Sequence, residues 1–81
     1  MNEEEFIGKF SEGKKNIVVI CDRRFIADDF MLFENLFRFS DGVYGWDHVS
    51  LYLGDEHIWT GPMECVEDVY PLHTENTEGE E

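Results

Sequence analysis

The stretch Asp22-Arg23-Arg24-Phe25-Ile26-Ala27-Asp28-Asp29-Phe30-Met31-Leu32-Phe33-Glu34-Asn35-Leu36-Phe37-Arg38-Phe39 decides how the rest of the chain is read. Ile26, Phe30, Phe33 and Phe37 recur at steps of four, three and four residues, and Phe25, Leu32, Leu36 and Phe39 make an adjoining stripe. This spacing predicts one long helix over residues 23–39 with a wide apolar face. Asp22 stands where an N-cap would accept free amide protons, Asp28 and Asp29 fall on the polar side, and Ser40-Asp41-Gly42 supplies the stop. Most of the stripe is expected to pack the core. Its surplus width offers a surface for a homodimer.

Upstream, Asn16-Ile17-Val18-Val19-Ile20-Cys21 is an apolar run without polar alternation, as in a strand near the centre of a sheet. Before it, Asn2 and Glu5 have capping-box spacing, which places Phe6, Ile7 and Phe10 on one face of a short helix ended by Ser11-Glu12-Gly13. Downstream, Val43-Tyr44-Gly45-Trp46-Asp47 reads as a turn-rich connector. His48-Val49-Ser50-Leu51-Tyr52-Leu53 reads as a strand, Gly54-Asp55-Glu56 as a turn and His57-Ile58-Trp59-Thr60 as the returning strand. Gly61-Pro62 breaks it, and residues 65–70 supply a last strand. The expected fold class is α+β, a small antiparallel sheet with one long and one short helix. Residues 1–73 are expected to form a single domain, and 74–81 a disordered acidic tail with no apolar anchor after Leu72.

A chain of 81 residues buries only about 60% of the surface its unfolded form exposes, so a partner would help it. Hydrophobic residues make up 42% of the sequence, too much for a disordered chain. Cys21 and Cys65 have no metal-ligand spacing with each other or with His48, His57 and His73, so no metal or other cofactor is expected. No apolar run reaches the roughly 18 residues of a membrane span, and Met1-Asn2-Glu3-Glu4-Glu5 is acidic where a secretory signal is basic. The expected location is the cytoplasm, away from membranes.

The string His48-Val49-Ser50-Leu51-Tyr52-Leu53-Gly54-Asp55 resembles the histidine-bearing strand of NlpC-type papain-like peptidases, in particular their circularly permuted, lecithin retinol acyltransferase-like branch. A strand like residues 16–21, a helical stretch, the Gly-Asp turn, a short strand like Ile58-Trp59-Thr60 and an apolar strand ending in Pro71-Leu72 follow in that branch's order. The resemblance spans roughly residues 15–72 and implies a minimal papain-like half-domain. It places His48 at the catalytic base and Thr60 at the polar group orienting it. Threonine departs from the family pattern, because it accepts a hydrogen bond but carries no charge to stabilise imidazolium. The permuted family's nucleophile lies on a helix downstream of the histidine strand, where this sequence has an acidic tail. In the unpermuted order the candidate is Cys21, opening the 23–39 helix beside Arg23 and Arg24. Cys21, His48 and Thr60 are therefore expected as vestigial catalytic positions, and Cys65 as core.

Charge is the strongest compositional signal: nineteen acidic residues against six basic ones leave a net of -13, which repels nucleic acid and anionic lipid. From Asp41 onward there is no Lys or Arg, while Asp41, Asp47, Asp55, Glu56, Glu64, Glu67 and Asp68 all fall there. These seven are the expected binding residues. Carboxylates at fixed positions can replace phosphates in a basic channel, so the expected function is that of a non-enzymatic acidic inhibitor. Its partner would be a basic nucleic-acid-binding protein or complex, with the chain acting as a DNA mimic of the kind phages and mobile elements use against restriction or CRISPR systems. The rivals are a small papain-like hydrolase using Cys21 and His48, and an adaptor binding through the Phe-rich helix.

Overall fold

A step of four residues returns a side chain to the same face of a helix and, being even, to the same face of a strand; only odd steps separate the two. Phe30 and Phe33 are an odd step apart. Phe30 packs against Phe6 and Phe10, with ring centroids 4.8 and 4.7 Å away, whereas Phe33 lies against His48 at 5.6 Å. In the computed structural model, which describes residues 1–72, the segment is two strands, β2 (Arg23–Ala27) and β3 (Asp29–Phe39). The long helix expected there does not form. The α+β class and the papain-like half-domain are accordingly corrected to a mostly β fold with a single short helix among the described residues. The expected acidic tail lies outside those residues.

Local chemistry explains the difference. Aromatic and β-branched side chains suit a pleated surface. Beyond Phe33 the chain alternates, with Phe33, Phe37 and Phe39 on one face and Glu34, Leu36 and Arg38 on the other. Ser40-Asp41-Gly42, taken as a helix stop, is a hairpin turn that joins β3 to β4 (Gly42–Leu53) and pairs Phe39 with Gly42. The expected 43–47 connector is the first half of β4.

The remaining elements are α1 (Glu3–Lys9), β1 (Asn16–Ile20), β5 (Glu56–Pro62), a 3-10 turn at Met63–Cys65 and β6 (Val66–Pro71). Asn2 caps α1 through a reciprocal capping box with Glu5. All strand pairs are antiparallel and form two three-stranded sheets, ordered β2-β1-β6 and β3-β4-β5. The chain passes from one sheet to the other at Asp28, whose N–H donates to the Tyr52 carbonyl and whose carboxylate accepts from the Gly54 N–H. Between the sheets lie Phe6, Val18, Ile20, Val49, Leu51 and Val66, all buried. Asn16 is also fully buried, and its amide closes the preceding loop through Ser11 N–H, Ser11 C=O and Lys14 C=O.

β5 pairs with β4 only between His48 and Leu53. Residues 34–39 and 42–47 therefore project as a two-stranded arm, and the molecule measures 58 × 23 × 21 Å. A lone hairpin is marginal in water. The arm is braced by its own aromatics: Phe37 meets Trp46 at 4.9 Å, Phe39 meets Tyr44 at 5.5 Å, and the Tyr44 hydroxyl donates to Asp41.

Two substitutions test this core by urea unfolding. Leu51→Ala should cost about 2–5 kcal/mol through lost burial and the cavity left behind. Asn16→Ala should cost about 1–3 kcal/mol, because it takes the side-chain partner from the Ser11 N–H and the Lys14 carbonyl. A loss below about 0.5 kcal/mol in both would contradict the packing described.

Candidate functional site

The arm carries most of the exposed apolar surface. Leu36 is 68% exposed and Val43 56%, and Phe37, Phe39, Tyr44 and Trp46 are exposed as well. Strand alternation and register set Phe33, Phe37 and Phe39 of β3 on the same face as Tyr44, Trp46 and His48 of β4. At the base of this face Phe37, Phe39, Trp46, His48, Pro62 and Glu64 line a shallow apolar hollow of about 300 Å³. Exposed aromatics concentrated on one face are the mark of an interaction surface.

Acidic groups gather in two clefts. Register sets Glu34 opposite Asp47, and with Glu64, Met1, Asn2 and Trp46 they line a cleft of about 420 Å³. A second cleft, of about 740 Å³, is lined by Glu12, Asp28, Asp29 and Asp55 beside Phe10 and Phe30. Of the seven acids expected to bind, Asp47 and Glu64 are thus brought together and Asp55 adjoins Glu56. Asp41 sits at the arm's tip, at the opposite end of β4 from Asp55, about 40 Å away along the strand. Glu67 and Asp68 lie on β6. Asp68 is occupied with Lys9 at 3.2 Å, and its carboxyl is held below the ordinary range first by the Val69 N–H it accepts and then by Lys9. Glu12, Asp28, Asp29 and Glu34 belong to the clefts although the sequence did not single them out. Only strand register could have shown Glu34, since Asp47 is thirteen residues away in sequence.

The residues proposed from the peptidase resemblance fall elsewhere. His48 is buried, and its Nδ1 lies 2.9 Å from the Trp46 carbonyl oxygen; a carbonyl only accepts, so Nδ1 carries the proton. Thr60 does contact an imidazole, but it is that of His57, and it also bonds Ser50 at 2.7 Å. No hydrogen bond joins Thr60 to His48 among the described residues. Cys21 opens no helix. It lies in the β1–β2 turn with a φ of +49°, exposed, and loses the dipole that a following helix would have given.

Cys21 instead faces Cys65. Ile20 pairs with Val66 in the antiparallel β1–β6 ladder, so the next residue on each side is a cysteine. Burial, the neighbouring Cys21 and the Glu64 carboxylate all push the Cys65 thiol above its usual range. Among the described residues no group of three His, Cys, Asp or Glu side chains is placed to hold a metal ion, and no helix is long and apolar enough to cross a membrane. The chain matches no family model, no curated protein and no solved structure.

Thiol alkylation followed by intact mass checks the cysteine geometry. At pH 8 Cys21 should react first, and Cys65 should lag because it is less exposed and forms thiolate only at higher pH. Raising the pH should close the gap between them. Equal rates at pH 8 would contradict the arrangement.

Proposed function

We propose that the protein is a non-enzymatic binding module that captures a basic, nucleic-acid-binding protein, with its carboxylates standing in for phosphates and its aromatic arm supplying the grip. One observation carries this reading. The described residues include fifteen carboxylate side chains, none of them buried, of which Asp68 alone is ion-paired within that set. Unpaired surface charge of one sign contributes little to folding and much to attraction between molecules. From Asp41 onward no cation interrupts it.

The two components have separate roles. Carboxylates draw in a cationic partner from a distance and raise the on-rate. Phe37, Phe39, Tyr44 and Trp46 then provide area that slows release, as aromatic residues do at the centres of interfaces. A rod of 58 Å bearing such charge has the outline needed to lie along a channel that otherwise holds nucleic acid. This is the mode of action expected of a DNA-mimic inhibitor of a restriction or CRISPR complex.

Capture from lysate at low salt, followed by a competition step, tests the proposal. The bound partner should be released by 0.5 M salt, a concentration on the order of that which shortens electrostatic reach to a few ångström, and displaced by a DNA or RNA oligonucleotide. Asp55→Lys with Glu56→Lys should slow association while leaving stability within about 0.5 kcal/mol. Trp46→Ala should speed dissociation, at a cost of about 2 kcal/mol. Cys21→Ser should leave capture intact. A partner that holds the protein and its nucleic acid at once, or a folded Cys21→Ser variant without activity, would overturn the proposal.

A further inference from the structure

An edge strand exposes a row of unpaired backbone N–H and C=O groups, and proteins ordinarily blunt such edges with charge, proline, bulges or shortness. Three of the four sheet edges here are blunted. β2 is five residues long and begins with Arg23 and Arg24; β6 is six residues long, contains Glu67 and Asp68 and ends at Pro71; β5 meets a register shift at Leu51/Tyr52 and ends at Pro62. β3 has only charge among these defences, and its three charged residues, Asp29, Glu34 and Arg38, are of both signs. It is eleven residues long, pairs with β4 without a register shift, and contains neither proline nor glycine.

The charges on that strand are arranged for a copy of itself. Glu34 and Arg38 lie four residues apart on one face, with Leu36 between them, and neither charge is ion-paired among the described residues. In an antiparallel pair related by a two-fold axis, residues facing each other have position numbers that add to a constant. Centring the axis on Leu36 sets Glu34 against Arg38 of the second copy twice over, Leu36 against Leu36, and Phe33 against Phe39. Shifting the axis by one residue either way leaves Arg38 facing an apolar side chain. Residues facing each other in an antiparallel ladder share a face, so the opposite charges meet side by side.

We propose that β3 pairs along its free edge with β3 of a second copy of this chain, antiparallel and centred on Leu36, fusing two three-stranded sheets into one of six. The net charge of -13 does not forbid this. Between Phe33 and Tyr44 the only charged residues are Glu34, Arg38 and Asp41, and at 0.15 M salt a charge reaches only about 8 Å. The pairing uses the backbone edge of β3 with Glu34 and Arg38, whereas capture of a basic partner uses the aromatic face and the other carboxylates. Either can fail without the other. If both hold, the dimer sets two aromatic faces side by side.

Sedimentation of the full chain at about 10–100 µM, a range in which dissociation constants near 1 μM are read directly, tests the pairing. Wild type should sediment at twice 9.5 kDa. Arg38→Glu alone and Glu34→Arg alone each put like charges face to face at two symmetric places, and each should weaken association by about tenfold or more. The variant with both changes should recover the dimer. An equal mixture of the two single variants should form a heterodimer, because each then supplies the charge that the other needs. Far-UV circular dichroism of each variant confirms that the β fold persists. A monomeric wild type, single variants as dimeric as wild type, or a mixture that stays monomeric would each overturn the proposal. A dimer broken by Trp46→Ala but indifferent to both reversals would overturn it in favour of face-to-face packing.

Discussion

The fold depends on one crossing. Residues 23–39 serve both sheets, and the chain changes partner at Asp28, leaving β1 behind and taking up β4. The backbone N–H there is satisfied by the Tyr52 carbonyl, while the Asp28 carboxylate closes the β4–β5 turn through the Gly54 N–H. A buried backbone group at such a corner would be costly if it lacked a partner. With both groups satisfied, the two sheets are fixed at one point, and Phe30 just beyond it is delivered to Phe6 and Phe10. The helix α1 is thereby tied to the second sheet as well as to β6, which it reaches through Lys9 and Asp68.

That crossing also creates the arm. Once the chain leaves β1 at the end of β2 it continues as β3 for eleven residues, longer than β5 can cover, and its far end has only β4 for company. The body has a core that excludes water from both sides, and the arm does not. Its aromatics brace one another, and most remain in contact with solvent. Stability and interaction are therefore separated along the molecule. The body resists unfolding through buried Val49, Leu51 and Val18, and the arm offers apolar surface and an open edge.

The acidic residues follow a related logic. They are spread through the sequence, but the sheets gather some of them into two clefts and leave others apart. Glu34 faces Asp47 because β3 and β4 are in register, an arrangement of like charges that contributes nothing favourable to the hairpin itself. A cation brought by a partner would relieve that repulsion. The same register that places two acids together therefore leaves a local excess of negative charge there.

The sequence by itself determined the local features whose physics is confined to a few residues. Asn2 and Glu5 spell the cap of α1, the run from Asn16 marks a central strand, Gly54-Asp55 marks a turn, and the acidic excess is visible by counting. It could not decide between helix and strand for residues 23–39, because steps of four fit both and the one odd step, Phe30 to Phe33, is resolved only by what each ring packs against. Asp41-Gly42 was a hairpin signal, but beside a presumed helix it looked equally like a stop. The meeting of Cys21 with Cys65, of Glu34 with Asp47 and of Thr60 with Ser50 is set by strand register. Register is chosen by the burial of whole faces across the two sheets, so no single stretch of sequence contains it.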